Sequence, residues 1–366
     1  MPGERTMRRA LGLMSGTSLD GIDAAILDTD GAAQLRFGPT LIKPYSKRLR
    51  ERLRRSLGGR QPVKAVERDM TLAHAEVVAE LLSAARLEAR SIDVVGFHGH
   101  TILHRPHERL TWQIGDGALL AARTGIDVVA DFRRADVAAG GEGAPLAPVF
   151  HAALAANLAR PVAVLNIGGV ANVTWIGAGG LDSLDRALLA FDTGPGNALI
   201  DDLMLARTGQ SCDADGACAA RGQVDSRALA RLMDHPYFDR PPPKSLDRNA
   251  FDPAPVTALE TADGAATLTA FTAECVARAM RQFPAPAVAW IVTGGGRRNL
   301  TLLAALQRAT GQPMLPAEKM GWNGDALEAQ AFAYLAVRSL RGLPLSYPRT
   351  TGVERAISGG SLFRRG

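Results

Sequence analysis

Apolar and polar positions first alternate in short bursts. Ala10–Met14 is mostly apolar, Ser15–Gly21 is polar, and Ile22–Leu27 is apolar again before Asp28 and Gly31. That pattern predicts strand, turn and strand over residues 9–31. A helical period takes over next. Leu49, Leu53 and Leu57 lie four apart among basic residues in Ser46–Leu57. Val66, Met70, Leu72, Ala73, Val77, Val78, Leu81 and Leu82 keep near-helical spacing in Lys64–Ala89. Short apolar segments at Asp93–Gly96, Leu110–Ile114 and Asp127–Ala130 read as strands. A second strand, turn and strand occupies Val162–Ile176, bent at Asn166-Ile-Gly-Gly. Beyond it come a proline-rich loop at Pro241–Lys244, helices at Ala265–Gln282, Leu300–Leu306 and Asp325–Arg341, and a strand at Val288–Val292. Two glycine-bent hairpins one domain length apart suggest a duplicated α/β module with a cleft between its halves. An unduplicated α/β chain can also supply two such hairpins. Trp112, Trp175 and Trp290 fall in apolar strands and are expected in the core, whereas Trp322, beside Gly321, is expected at the surface.

Composition narrows the class. The chain has 366 residues, 46% of them hydrophobic, enough for two ordinary domains or one large one. Lys plus Arg total 42 against 37 acidic residues, a mild +5. Only Lys43, Lys47, Lys64, Lys244 and Lys319 are lysines, and the arginines are spread along the chain without interleaved aromatics, which argues against nucleic acid. The basic stretch 47–55 reads as a solvated helix face, with an anionic partner as the alternative. Cys212, Cys218 and Cys275 suit neither a disulfide framework nor a metal knuckle, so a reducing, cytoplasmic setting fits. The N-terminus lacks the apolar run of a signal peptide. The uncharged stretch Pro161–Gly180 carries Asn166, Asn172, a proline and five glycines, unlike a spanning helix.

Several segments can carry chemistry. Ser15-Gly-Thr-Ser-Leu-Asp-Gly-Ile-Asp23 is a turn whose backbone N–H groups could hold phosphate and whose carboxylates could order Mg²⁺, although it is neither a Walker loop nor GxGxxG. The alternative is a tight hairpin and nothing more. Asp192, in Phe191-Asp-Thr-Gly-Pro-Gly-Asn197, is placed to act as a general base at a strand end. Otherwise it hydrogen-bonds its own turn, with Asn197 capping the next helix. Thr293-Gly-Gly-Gly-Arg-Arg-Asn299 offers bare backbone to a flat ring or a phosphate, or is a flexible turn. Phe97–His107 concentrates four of the seven histidines. Zinc has no supporting ligand spacing there, and His98, at a strand end, suits hydrogen bonding to a polar substrate.

Taken together, MSGTSLDGID, GFHGHTILHRP, ADFRRADVAAGGEGAPLAP, LNIGGVANVTWI, AFDTGPGNALID, PPPKS, TGGGRRN and GDALEAQAFAYLA closely resemble, in that order, the anhydro-N-acetylmuramic acid kinase family of cell-wall recycling. The resemblance covers about 11–353. It implies an actin-like, sugar-kinase fold: two ribonuclease-H-like domains around a nucleotide cleft, here 1–133 plus 335–366 and 134–334. It also implies that ATP phosphorylates the 6-oxygen of 1,6-anhydro-N-acetylmuramic acid while water opens the anhydro bond, giving N-acetylmuramic acid 6-phosphate and ADP. An ordinary sugar kinase acting on a free hydroxyl is the alternative. By resemblance, Gly16, Thr17, Ser18, Leu19, Asp20, Gly21, Ile22 and Asp23 form the first ATP phosphate segment and Gly168 and Gly169 the second. Gly294, Gly295 and Gly296 would lie against the adenosine. Asp192 matches the base, His98, Arg133 and Glu328 match sugar-binding positions, and Asp20 or Asp23 orders Mg²⁺ through water. The implied partners are the anhydro sugar and ATP, with no nucleic acid or membrane, and a homodimer is a candidate assembly. Gln is usual where this chain has His100 and Glu142, and many members carry a Thr-Gly-Arg version where it has Leu246-Asp247-Arg248.

Overall fold

The structure, a computed structural model, describes residues 6–16, 19–59 and 63–366, so the expectations for Thr17 and Ser18 lie outside it. The strands in chain order are β1 Arg8–Met14, β2 Gly21–Thr29, β3 Leu35–Pro44, β4 Val94–Phe97, β5 His100–Arg105, β6 Leu110–Ile114 and β7 Val128–Ala130. They continue as β8 Val162–Ile167, β9 Val170–Ile176, β10 Leu188–Pro195, β11 Ala289–Thr293, β12 Met314–Pro316 and β13 Ser361–Phe363. Both hairpins predicted from the alternation are present. β1 and β2 pair antiparallel from Arg8↔Thr29 to Met14↔Asp23, and β8 and β9 from Val162↔Ile176 to Ile167↔Ala171.

Two compact units result: Met1–Ala156 with Gly180–Asp185 and Ala326–Gly366, and Asn157–Gly179 with Arg186–Asp325. The first holds a sheet ordered β13-β7-β4-β1-β2-β3, the second a sheet ordered β10-β9-β8-β11-β12. In each, three strands meander antiparallel and two more join parallel to the first, in the strand order of a ribonuclease-H-like domain. The module is therefore duplicated, as the two hairpins suggested. β5 and β6 form a separate two-stranded ribbon.

The earlier boundary lies at 156/157 rather than 133/134, and the later at 325/326 rather than 334/335 because the helix Leu327–Leu340 packs on β1, β2 and β4 from its first turn. Two strand glycines admit it: a Cβ on Gly12 would come 1.8 Å from the Ala329 carbonyl oxygen, and one on Gly96 2.1 Å from that of Phe332. Helix and sheet meet backbone to backbone at these notches. Gly12→Ala is expected to cost about 3 kcal/mol, since neither neighbour is a movable side chain, and to lower the melting temperature by roughly 10 °C. Gly180→Ala, where nothing lies within 4 Å, is the control. Equal melting temperatures in the two variants would refute the notch.

Each unit has its own core, built around Leu11, Ile26, Val77 and Phe97 in the first and around Leu165, Phe191, Trp290 and Leu306 in the second. A further cluster in the second unit joins Tyr237, Phe238, Phe251 and Phe271. Trp175 and Trp290 are core residues, but Trp112 is 39% exposed and Trp322 is buried. Trp112 lies on β6 of the narrow ribbon, which leaves it partly in solvent. Trp322 donates its backbone N–H to the Ala317 oxygen at 3.1 Å, which folds it back under the turn. The second helix ends at Ala85 rather than Ala89, because Arg86 turns left-handed at φ 55° and Leu87 N–H closes back on the Leu82 oxygen. No helix among the described residues is long and apolar enough to cross a membrane.

Candidate active site

In the first unit β1, β3, β4 and β7 run the same way, so Ser15, Tyr45, His98 and 131–133 follow their carboxyl ends, where open α/β sheets bind ligands. His98 Nδ1 lies 3.0 Å from the Gly99 oxygen. A carbonyl only accepts, so Nδ1 carries the proton and Nε2 accepts from Arg133 Nη2 at 3.1 Å and Nε at 3.3 Å. Burial, then the Arg133 charge, push the His98 pKa well below the ordinary imidazole value. It is a neutral acceptor that aims a guanidinium. Arg133 Nη1 also donates to the Gly143 oxygen at 2.9 Å. That loop is fixed in turn by Asp136, which accepts from Gly143 N–H at 2.6 Å, from Thr351 Oγ1 at 2.6 Å and from Ser346 Oγ.

Glu328 opens the helix Leu327–Leu340 four residues before Phe332, whose ring lies 4.6 Å from that of His98. The spacing puts Glu328 and Phe332 on one helix face. Surrounding protein raises the Glu328 carboxyl pKa and the Arg133 charge opposes it. The structure thus brings His98, Arg133 and Glu328 together. Between His98 and His100, Gly99 turns left-handed at φ 71° and breaks the extended chain. His100 instead meets Ser15 Oγ at 3.0 Å, and Ser15 Oγ also accepts from Tyr45 Oη at 2.7 Å. Among the described residues no three His, Cys, Asp or Glu side chains are grouped to hold a metal ion.

Of the first phosphate segment, Gly16 accepts from Leu19 N–H at 3.1 Å, and Leu19 is left-handed at φ 60°, a strained conformation for leucine. The Asp20 oxygen accepts from Tyr45 N–H at 3.1 Å and from Arg50 at 3.2 Å. Gly21 is glycine for packing, since a Cβ would sit 2.4 Å from the Lys43 oxygen. Ile22 is buried, and Asp23 is half-buried opposite Met14 at the end of β1.

In the second unit the carboxyl ends of β8, β10 and β11 share one edge. The Gly168 oxygen accepts from Asn197 N–H at 2.8 Å, and the Gly169 oxygen from Gly196 N–H at 2.9 Å, so the hairpin bend and the turn after β10 are locked together. Asn197 does not cap the helix Ala198–Thr208 with its side chain; Nδ2 reaches the Ile167 oxygen at 3.3 Å instead. Packing explains Gly196, Gly294 and Gly296, where a Cβ would come within 2.3–2.6 Å of neighbouring atoms. It does not explain Gly168, Gly169 or Gly295, where a Cβ would have no neighbour nearer than 3.6 Å. These are the positions at which a ligand, rather than the chain, can use bare backbone. Arg297, buried, pins the loop by donating to the Gly294 oxygen at 2.9 Å and pairing with Glu318 at 2.8 Å and Asp325 at 2.9 Å.

Asp192 lies on β10 at a register shift, or bulge, between Asp192 and Gly194. Its Oδ2 accepts from Leu246 N–H at 2.7 Å, and its own N–H donates to the Lys244 oxygen at 3.0 Å. The hydrogen bond from Leu246 is made by backbone, so the departure from the family pattern there leaves it available. Lys244 and Tyr237, which no sequence signal connected to Asp192, both belong to this setting. Their link spans some fifty residues and has no local period to betray it.

A sequence model of the family described as "Anhydro-N-acetylmuramic acid kinase" matches residues 8–365. Curated relatives of that name include one from Paramagnetospirillum magneticum, 58% identical over 96% of this chain and 98% of its own length. Another, from Rhodospirillum rubrum, is 56% identical over 97% and 94%. A third, from Rhizorhabdus wittichii, is 54% identical over 98% and 100%.

Proposed function

Because the chain belongs to the anhydro-N-acetylmuramic acid kinase family, we propose that it opens 1,6-anhydro-N-acetylmuramic acid with water and phosphorylates the freed 6-oxygen from ATP. Within the structure, the observation that carries this reading is Asp192, held at a strand end by Leu246 N–H and the Lys244 oxygen. Water is a weak nucleophile. As its oxygen bonds to the anomeric carbon, Asp192 takes its proton and the bond from that carbon to the 6-oxygen breaks. The 6-oxygen then bonds to the γ-phosphorus as the bond to the β,γ-bridging oxygen breaks, releasing ADP; the proton on Asp192 later returns to solvent. Coupling the two steps spares the sugar oxygen a full negative charge.

Arg133 and Glu328, with neutral His98 orienting the guanidinium, supply the donor and acceptor set for the sugar. The open glycines Gly168, Gly169 and Gly295 suit phosphate and adenosine. Asp20 and Asp23 flank the start of β2, and one or two carboxylates completed by water and phosphate oxygens are what Mg²⁺ takes. Bound there, Mg²⁺ would offset phosphate charge. Three free cysteines fit a reducing cytoplasm.

The test is ADP release from Mg²⁺-ATP and the anhydro sugar in heavy-oxygen water, with N-acetylmuramic acid in parallel. Label at the product's anomeric hydroxyl, read before exchange, is expected. Turnover of the open sugar alone would make this an ordinary kinase.

A further inference from the structure

Lys244 is buried, and its position is unusual for a cation. Its Nζ donates to the Tyr237 oxygen at 3.1 Å, and among the described residues that is its one hydrogen bond and no carboxylate pairs with it. Asp239, whose charge acts on it, is engaged by Arg278 at 2.6 Å. What surrounds the ammonium instead is aromatic: Nζ lies 4.5 Å from the Tyr237 ring centroid and 5.8 Å from that of Phe191. A buried charge without an ionic partner is costly, so its retention calls for a reason. The surrounding bonds supply one. Tyr237 Oη donates to the Asp192 oxygen at 2.5 Å, Lys244 accepts from Asp192 N–H at 3.0 Å, and Leu246 N–H holds the Asp192 carboxylate at 2.7 Å. Phe191 is the residue before Asp192. Lys244 therefore grips the strand and the 237–246 loop on both sides of that carboxylate.

We propose that Lys244 is a positioning residue for the reaction: its ammonium group clamps the 237–246 loop onto β10 and thereby aims the Asp192 carboxylate. This rests on the reading of Asp192 as the base. The charged and titratable groups facing Lys244 are Tyr237, Asp239 and Arg240 on that loop, and Arg278 and Cys275 on the helix Thr261–Ala279. Burial lowers the Lys244 pKa most, Arg240 and Arg278 lower it further, and Asp239 and Cys275 oppose them, leaving it at about 8. Above that pH the amine keeps an N–H for Tyr237 but loses its attraction to both rings, worth about a 2- to 30-fold effect. Stability moves the other way. The folded pKa lies below the ordinary 10.5, so the buried charge burdens the fold below pH 8 and that burden lifts between 8 and 10.5. Turnover falling while this group ceases to destabilise is a signature that alkaline unfolding does not share.

The experiment measures kcat and KM between pH 6.5 and roughly 9.5 for the full chain, Lys244→Arg and Lys244→Met, with Asp192→Asn alongside. The full chain is expected to lose kcat above about pH 8. Lys244→Arg, charged throughout, should keep it, and Lys244→Met should show a lowered kcat without that limb and an unchanged KM for ATP. An alkaline limb that persists in Lys244→Arg overturns the clamp, and that arm decides the matter if the Met variant fails to fold. A persistent limb beside a silent Asp192→Asn strikes the clamp alone; turnover retained in Asp192→Asn strikes the base assignment.

Discussion

Asp192→Asn is expected to cut turnover by about 10²–10⁴-fold, the usual worth of a positioned general base, while ATP still binds. The amide has nearly the shape of the carboxylate and can still accept from Leu246 N–H, so the 237–246 loop should stay seated. What disappears is the capacity to take a proton from water. Two measurements are needed together: single-turnover ADP formation with the anhydro sugar, and ATP affinity by calorimetry. Loss of both would signal a collapsed site rather than a missing base. Near-normal ADP formation would remove Asp192 from the role.

Acid should begin to destabilise the protein below pH 6.5, before its carboxylates titrate. His74, His100 and His151 are buried with pKa values lowered to about 4, chiefly by burial, and His98 is lower than its ordinary value for the same first reason. An unfolded chain takes up protons at these imidazoles near pH 6.5, and the folded chain does not. Stability therefore falls as pH drops below 6.5, by about 1.4 kcal/mol per unit for each fully buried imidazole. With four such groups, even half that slope removes about 7 kcal/mol between pH 6.5 and 4, comparable with a typical stability of about 5–15 kcal/mol. Urea midpoints at pH 7.5, 6 and 5 check it. A midpoint unchanged across that range would sink the prediction, and His151→Leu, if it folds, should flatten the slope.

Both hairpins, the long helices and the duplicated order of the fold were legible because each rests on a local period or a glycine bend. So was the grouping of His98 with a strand end. The two misplaced tryptophans show where local reading fails. Trp112 sits in an apolar strand, but exposure depends on whether a second layer covers that strand. Asp192 was legible as a carboxylate between an apolar run and a stiff bend. Its hold on Leu246, 54 residues away, was not, since backbone donors leave no trace in residue type. Asp136 was not legible for a similar reason: Ser346 and Thr351 lie more than two hundred residues away, and with the nearby Gly143 they are ordinary residues singly.

The notches at Gly12 and Gly96 also bear on how the chain is made. The helix that fills them begins at Leu327, some three hundred residues after β1 leaves the ribosome. At about 5–20 residues per second, the exposed groove in the first sheet waits roughly 15–60 s for its helix. The second unit, Asn157–Gly179 with Arg186–Asp325, is complete before then. During synthesis the later-encoded unit can therefore finish folding first, while the unit that starts the chain is the one chaperones must shelter.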